Sequence, residues 1–143
     1  MNRGIVVLLI FALLVAAAIG LSSRSHFSSN DPMLAQVRAN FALLNPKYAE
    51  IPLRTGDSAY TENKEVITLC LINPDTNQYY DINTIMYVGL HELSHMLTAV
   101  GQEEHGEAFK KNFADLLRKG AELGIYNPRQ PIPATYCKTK TGN

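Results

Sequence analysis

A small α+β domain behind an N-terminal transmembrane helix is the fold class this sequence predicts, and three observations predict it. The segment IVVLLIFALLVAAAIGL, Ile5 to Leu21, is seventeen residues without a charge. Between Tyr48 and Leu71 the chain carries short runs rich in β-formers, separated by polar turn residues. From Asn83 onward, two stretches of helical periodicity follow each other across Gly101. The expected architecture is a short antiparallel sheet followed by two consecutive helices. At 143 residues the chain has room for one such domain and not for two.

Taken as a helix, the apolar segment spans roughly 25 Å at about 1.5 Å per residue, the short end of what crosses a bilayer. It offers no polar face, which disfavours a core helix. The run is longer than the apolar region of a cleaved secretory signal, although the small residues of AAAIGLSS provide a peptidase site. The retained anchor is preferred: residues 1–23 form a signal-anchor, 24–30 a linker and 31–143 the folded domain. A lipid membrane is then a partner through residues 5–21, with single-pass membrane localisation, or secretion if the segment is cleaved. Arg3 and Arg24 flank the segment almost evenly, so charge bias does not set the topology.

Thirteen basic residues balance thirteen acidic ones. A neutral chain lacks the basic surface of a non-specific nucleic-acid binder, and no nucleic-acid partner is expected. Cys70 and Cys137 suit either one disulfide in an oxidising space or two buried thiols. Neither belongs to a Cys-x-x-Cys pair of the metal-binding kind.

Along the chain, SSRSHFSSN reads as the polar linker, with His26 a solvated residue within it. DPMLAQVRANFALLNP predicts a helix: Asp31 caps it, Pro32 opens it and Asn45-Pro46 stops it. Leu34, Val37, Phe41 and Leu44 share its core face. YAEIPL and VITLCLI predict strands, RTGD and TENKE turns, and NPDTNQYYD a loop. The next helix is expected to start at an Asn83 cap and end at Gly101, and the one after it to run from about His105 to Leu123. The tail from Asn127, with its prolines, is expected to be irregular.

Three of the four histidines fall within HELSHMLTAVGQEEHGEAF: His91, His95 and His105. Residues four apart on a helix lie one turn above each other, so His91 and His95 can both reach one ion. Glu92 lies about a quarter turn round, unsuited as a ligand yet near enough to touch a water on the metal. The neighbouring Ile85, Met86, Val88, Leu90, Leu93, Met96 and Leu97 are apolar, and histidines on a buried helix need partners. His105, one turn before Phe109, is the preferred third ligand, with Glu103, Glu104, Glu107 and Glu122 as alternatives. Three protein ligands leave a fourth position open, which separates a catalytic zinc site from a structural one.

HELSH followed by HGEAFKKNFADLL resembles the WLM and SprT-like zinc metallopeptidases, whose core reads His-Glu-x-x-His and then His-Gly-x-x-Phe on the next helix. The resemblance covers roughly Tyr60 to Cys137 and includes YDINTIMYVGLHELSHML and IYNPRQPIPATYC. In these particulars the chain looks most like small membrane-anchored WLM-type proteins of large DNA viruses. The resemblance implies a zincin-like metallopeptidase domain with Zn2+ on His91, His95 and His105, Glu92 as the catalytic residue, and a protein or peptide substrate. Under that expectation Glu92 is the general base toward a zinc-activated water. Tyr87, Tyr126 and Tyr136 are candidate oxyanion donors, and the strand around Val66–Leu71 is a place for an extended substrate to pair. Two alternatives compete: a catalytically silent zinc-binding protein of a virion membrane, and a DNA–protein crosslink repair protease. Neutral charge and the apolar N-terminus speak against the second.

Overall fold

Helix α1 (Pro32–Leu44) opens the part of the chain that the computed structural model describes, residues 30–141. The Asp31 carboxylate accepts from the Met33 amide at 2.8 Å, and Pro32 occupies the first helical position. Leu34, Val37 and Phe41 are fully buried, and Leu44 packs at the margin of the core. Asn45 ends the helix in an extended conformation and caps a 3-10 turn, Pro46–Glu50. That turn takes up the first half of YAEIPL, where a strand was expected. Arg38 holds it against α1 by donating to the carbonyls of Ala49 (2.7 Å) and Ile51 (3.1 Å).

Strands β1 (Leu53–Thr55), β2 (Tyr60–Glu62) and β3 (Val66–Leu69) form one sheet in the order β1-β3-β2. β2 is antiparallel to β3, with Thr61 opposite Ile67, whereas β1 is parallel to it, with Leu53 opposite Ile67. The sheet is therefore mixed, and the all-antiparallel expectation is corrected. The reason is topological: the chain reverses between β1 and β2 and again between β2 and β3, and β3 inserts between the two. Asn63 and Lys64 make the second reversal with φ of 50° and 57°, closed by the Glu65 amide on the Glu62 carbonyl at 2.9 Å. Two short hairpins lie where loops were expected: β4 (Ile72–Asn73) with β5 (Gln78–Tyr79), and β6 (Thr135–Tyr136) with β7 (Thr139–Lys140). A disulfide joins Cys70, just after β3, to Cys137 in the turn of the second hairpin.

Helix α2 (Ile82–Leu97) packs on the sheet through β2 and β3, on α1 and on α3 (Glu107–Glu122). Its cap is Asp81 rather than Asn83: the Asp81 carboxylate takes the Thr84 amide (3.0 Å) and hydroxyl (2.7 Å). Asn83 is buried instead, and pairs with the backbone of Asn127 through both its amide nitrogen (3.2 Å) and its oxygen (2.6 Å). Ile85, Met86, Leu90 and Leu93 are completely buried. The helix ends at Thr98, so Gly101, with φ of 87°, bends the following loop and not the helix terminus. Phe109, Leu116 and Gly120 form the buried stripe of α3. A Cβ at Gly120 would come within 3.3 Å of both Leu90 and Tyr126, which shows how closely α3 rides on α2.

The expectation of an N-terminal transmembrane helix finds no support in this fold. Among the described residues no helix is long and apolar enough to cross a membrane. The expected span at residues 5–21 lies outside the described residues, as does His26. What stands is a small α+β domain of three α-helices and small sheets.

Candidate metal centre

The face of α2 turned away from its buried apolar stripe carries His91 and His95 into a cleft of about 600 Å³. Their Nε2 atoms stand 3.2 Å apart, as one helical turn dictates. From the loop before α3, His105 brings its Nε2 to 3.3 Å from that of His91. The ligand atoms of all three lie within 4.8 Å of one another. A tetrahedral ion with bonds of about 2.0–2.1 Å needs its nitrogen ligands about 3.3–3.4 Å apart. Both His91 pairs meet that spacing closely, and the three residues can hold a metal ion.

The donors also suit the task chemically. Burial, and then the charges of His95 and His105, push the His91 imidazole down to about 4. Burial likewise lowers His95, with His105 and Lys64 acting in the same direction and Glu104 against it. Rings that resist protonation keep their lone pairs available to a cation.

Phe109 sets the orientation of the cluster. Its ring centroid is 4.9 Å from that of His91, 4.4 Å from His95 and 4.8 Å from His105. One buried aromatic, four residues after His105, thus packs against all three imidazoles. The turn that delivers His105 is equally constrained. The Gly106 amide bonds the Glu103 carbonyl at 3.1 Å, and a Cβ at Gly106 would sit 2.8 Å from that of Glu103. The spacing of His105, Gly106 and Phe109 is thereby explained: ligand, tight turn, platform.

Glu92 lies beside the cluster and is only 6% exposed. Thr61 of β2 places its hydroxyl 2.9 Å from both the Glu92 Oε2 and the Glu92 backbone carbonyl. Burial pushes the Glu92 carboxyl up to about 7; the Thr61 bond opposes this and the Glu104 charge adds to it. Lys64, from the same hairpin, donates to the carbonyls of His95 (2.9 Å) and Thr98, capping the C-terminal end of α2 below the ligands.

Of the alternative third ligands, Glu104 lines the cleft, while Glu107 and Glu122 face solvent and pair with Lys110 and Arg118. Among the tyrosines, Tyr87 and Tyr136 line the cleft and Tyr126 does not. The Tyr136 hydroxyl donates to the Cys70 carbonyl. The expected docking strand is corrected: β3 is paired on both sides, and the open edge beside the histidines belongs to β2. Thr61, Lys64 and the platform role of Phe109 escaped sequence reasoning. TENKE looks like a turn, and the only signal of a strand before it is the β-forming pair Tyr60-Thr61.

Comparison with known proteins returns viral sequences. An uncharacterized protein of Invertebrate iridescent virus 6 is 35% identical over 91 residues, which is 62% of this chain and 50% of that protein. One from Invertebrate iridescent virus 3 is 40% identical over 80 residues, 55% of this chain and 48% of its own length. One from Acanthamoeba polyphaga mimivirus is 41% identical over 115 residues, 79% of this chain and 57% of its own length. The chain thus spans about half the length of the curated relatives it matches. No family model matches the chain, and no solved structure does. The chain is similar to longer viral proteins whose names carry no activity, so the chemistry of the three-histidine cleft is what bears on function.

Proposed function

We propose that the cleft is the active site of a zinc-dependent peptidase. The observation that carries this reading is Glu92: a carboxylate that is buried, raised toward neutrality and fixed by Thr61 beside three convergent imidazoles. A scaffold that merely stored an ion has no use for that expensive group, because burying an ionisable carboxylate costs free energy. Zinc on His91, His95 and His105 would supply Lewis acidity toward a water and a peptide carbonyl. Glu92, poised near neutral pH, accepts the proton of the attacking water and returns it to the leaving amine. Thr61 keeps the carboxylate aimed into the cleft while the β2 edge offers main-chain groups to an extended peptide. Tyr136 commits its hydroxyl hydrogen to Cys70. Tyr87, one turn before His91 on the same helix, is the better oxyanion donor.

Zinc titration combined with a peptide-library digest tests the reading. Glu92→Gln is expected to retain the metal and to lose at least about 10²–10⁴-fold in kcat. His105→Ala is expected to lose tight zinc. Undiminished hydrolysis by the Glu92 variant, or a zinc-loaded wild type that cleaves nothing in the library, sinks it.

A further inference from the structure

The cleft has a wall that neither the ligands nor Glu92 provide. Tyr136, Thr139 and Thr141 line it together with Tyr60 and Thr61 of β2 and Val88 of α2. Hydrogen bonds fix where this wall stands. Thr61 meets Glu92, and Lys64 meets His95 and Thr98, so β2 and α2 run alongside each other in the same direction. Tyr60 pairs with Thr68, two residues before Cys70, and the Tyr136 hydroxyl donates to the Cys70 carbonyl. The β6–β7 hairpin therefore stands at the Tyr60 end of the cleft, and the loop carrying His105 at the other. Thr139 and Thr141, two apart on an extended segment, share one face, and the Thr141 hydroxyl donates to the Pro133 carbonyl.

We propose that the β6–β7 hairpin is a substrate-holding wall, with the Cys70–Cys137 disulfide keeping it in place, so that an extended peptide on the β2 edge packs against Thr141 and is gripped by the Thr139 hydroxyl. The peptide as occupant rests on the peptidase reading above; the hold of the disulfide on the wall does not. A hairpin with two residues per strand is marginal by itself. Its attachments gather around the disulfide. They are the Tyr136–Cys70 bond, the Cys137 amide on the Tyr80 hydroxyl at 3.0 Å, and the Tyr80–Tyr136 ring contact at 4.8 Å. The histidines, by contrast, are held by α2, Phe109 and the Gly106 turn. Opening the disulfide should loosen the wall and spare the metal ligands.

The test uses the full chain loaded with zinc, comparing wild type with Cys70→Ala/Cys137→Ala. Should that variant not fold, native protein reduced with a phosphine serves; two thiols form and the phosphine takes up the oxygen of one water. The probes are acetohydroxamate, a chelator without a peptide, and a hydroxamate carried on an extended tripeptide. Backbone hydrogen exchange is read over residues 134–141. Without the disulfide, peptide-hydroxamate affinity is expected to fall by about tenfold or more, with acetohydroxamate and zinc affinities changing less than about twofold. Hairpin amides are expected to exchange about tenfold faster or more. Unchanged exchange overturns the hold of the disulfide, and faster exchange with unchanged peptide affinity overturns the wall. An intact protein that prefers the peptide hydroxamate no more than acetohydroxamate overturns the gripping role and counts against the peptidase reading. The exchange measurement then still decides the hold of the disulfide.

Discussion

Glu92 and His91 are adjacent in sequence, and burial moves their proton equilibria in opposite senses. For Glu92 the folded-state value, about 7, lies above the unfolded one. Its contribution to stability is therefore present below the unfolded value of about 4.3 and is lost as pH rises through about 7. His91 is depressed to about 4, so its contribution is present above the unfolded value and lost as pH falls. In metal-free wild type the two slopes oppose each other between about pH 4.5 and 6.5. Glu92→Gln removes one of them. In chelator-treated samples, the thermal midpoint of the variant minus that of wild type is expected to grow from pH 5 to pH 8. A difference that shrinks with pH would show that Glu92 is not buried as described. Thr68 gives a second residue-scale expectation. Its hydroxyl is buried in the central strand without a hydrogen-bond partner among the described residues. Thr68→Val keeps the shape and removes an unsatisfied group, so it should raise stability by about 1 kcal/mol in a denaturant melt; a loss of that size would place a partner at the hydroxyl.

At the scale of elements, what was legible in the sequence is what local geometry decides. His91 and His95 one turn apart, Glu92 beside them, and the capped start of α1 at Asp31 all follow from helical periodicity and end chemistry. The partners of these groups come from elsewhere in the chain and leave no local trace. Thr61 reaches Glu92 across 31 residues, and Asn83, a good cap by type, is drawn into pairing with Asn127 while Asp81 caps instead. The short hairpins were missed because strands of two residues carry no period; tertiary contacts define them. His105 stands between these cases. Its type and spacing pointed to the site, but the turn before α3 delivers it. Gly106→Ala should force Glu103 away and shift that turn, since the added carbon would meet the Glu103 Cβ at 2.8 Å. Zinc affinity is expected to fall by about tenfold or more with little change in helix content. Wild-type affinity in this variant would show that His105 does not depend on the turn.

For the molecule as a whole, the question is what keeps a small domain with short strands together. The ion pairs among the described residues lie at the surface, several of them along α3, and exposed pairs contribute little. The core joins α1, the sheet and α2 through Phe41, Ile67, Leu69, Ile85 and Leu90, all fully buried. The segment after α3 adds fewer such side chains, chiefly Tyr136 and Cys137, and its covalent link to Cys70 spans 67 residues of sequence. Closing a loop of that length lowers the entropy of the unfolded chain enough to stabilise the fold by about 4 kcal/mol, in the chain-entropy account. Cys70→Ala/Cys137→Ala is therefore expected to lower the thermal midpoint on the order of 10–20 °C. Saturating zinc should recover part of the loss, since a ligand that binds only the folded state stabilises it by mass action. Calorimetry with and without zinc separates the two contributions. If the midpoint moved by only a degree or two, the unfolded chain would have to be compact enough that the link removes little of its freedom. The disulfide would then matter for the position of the hairpin alone.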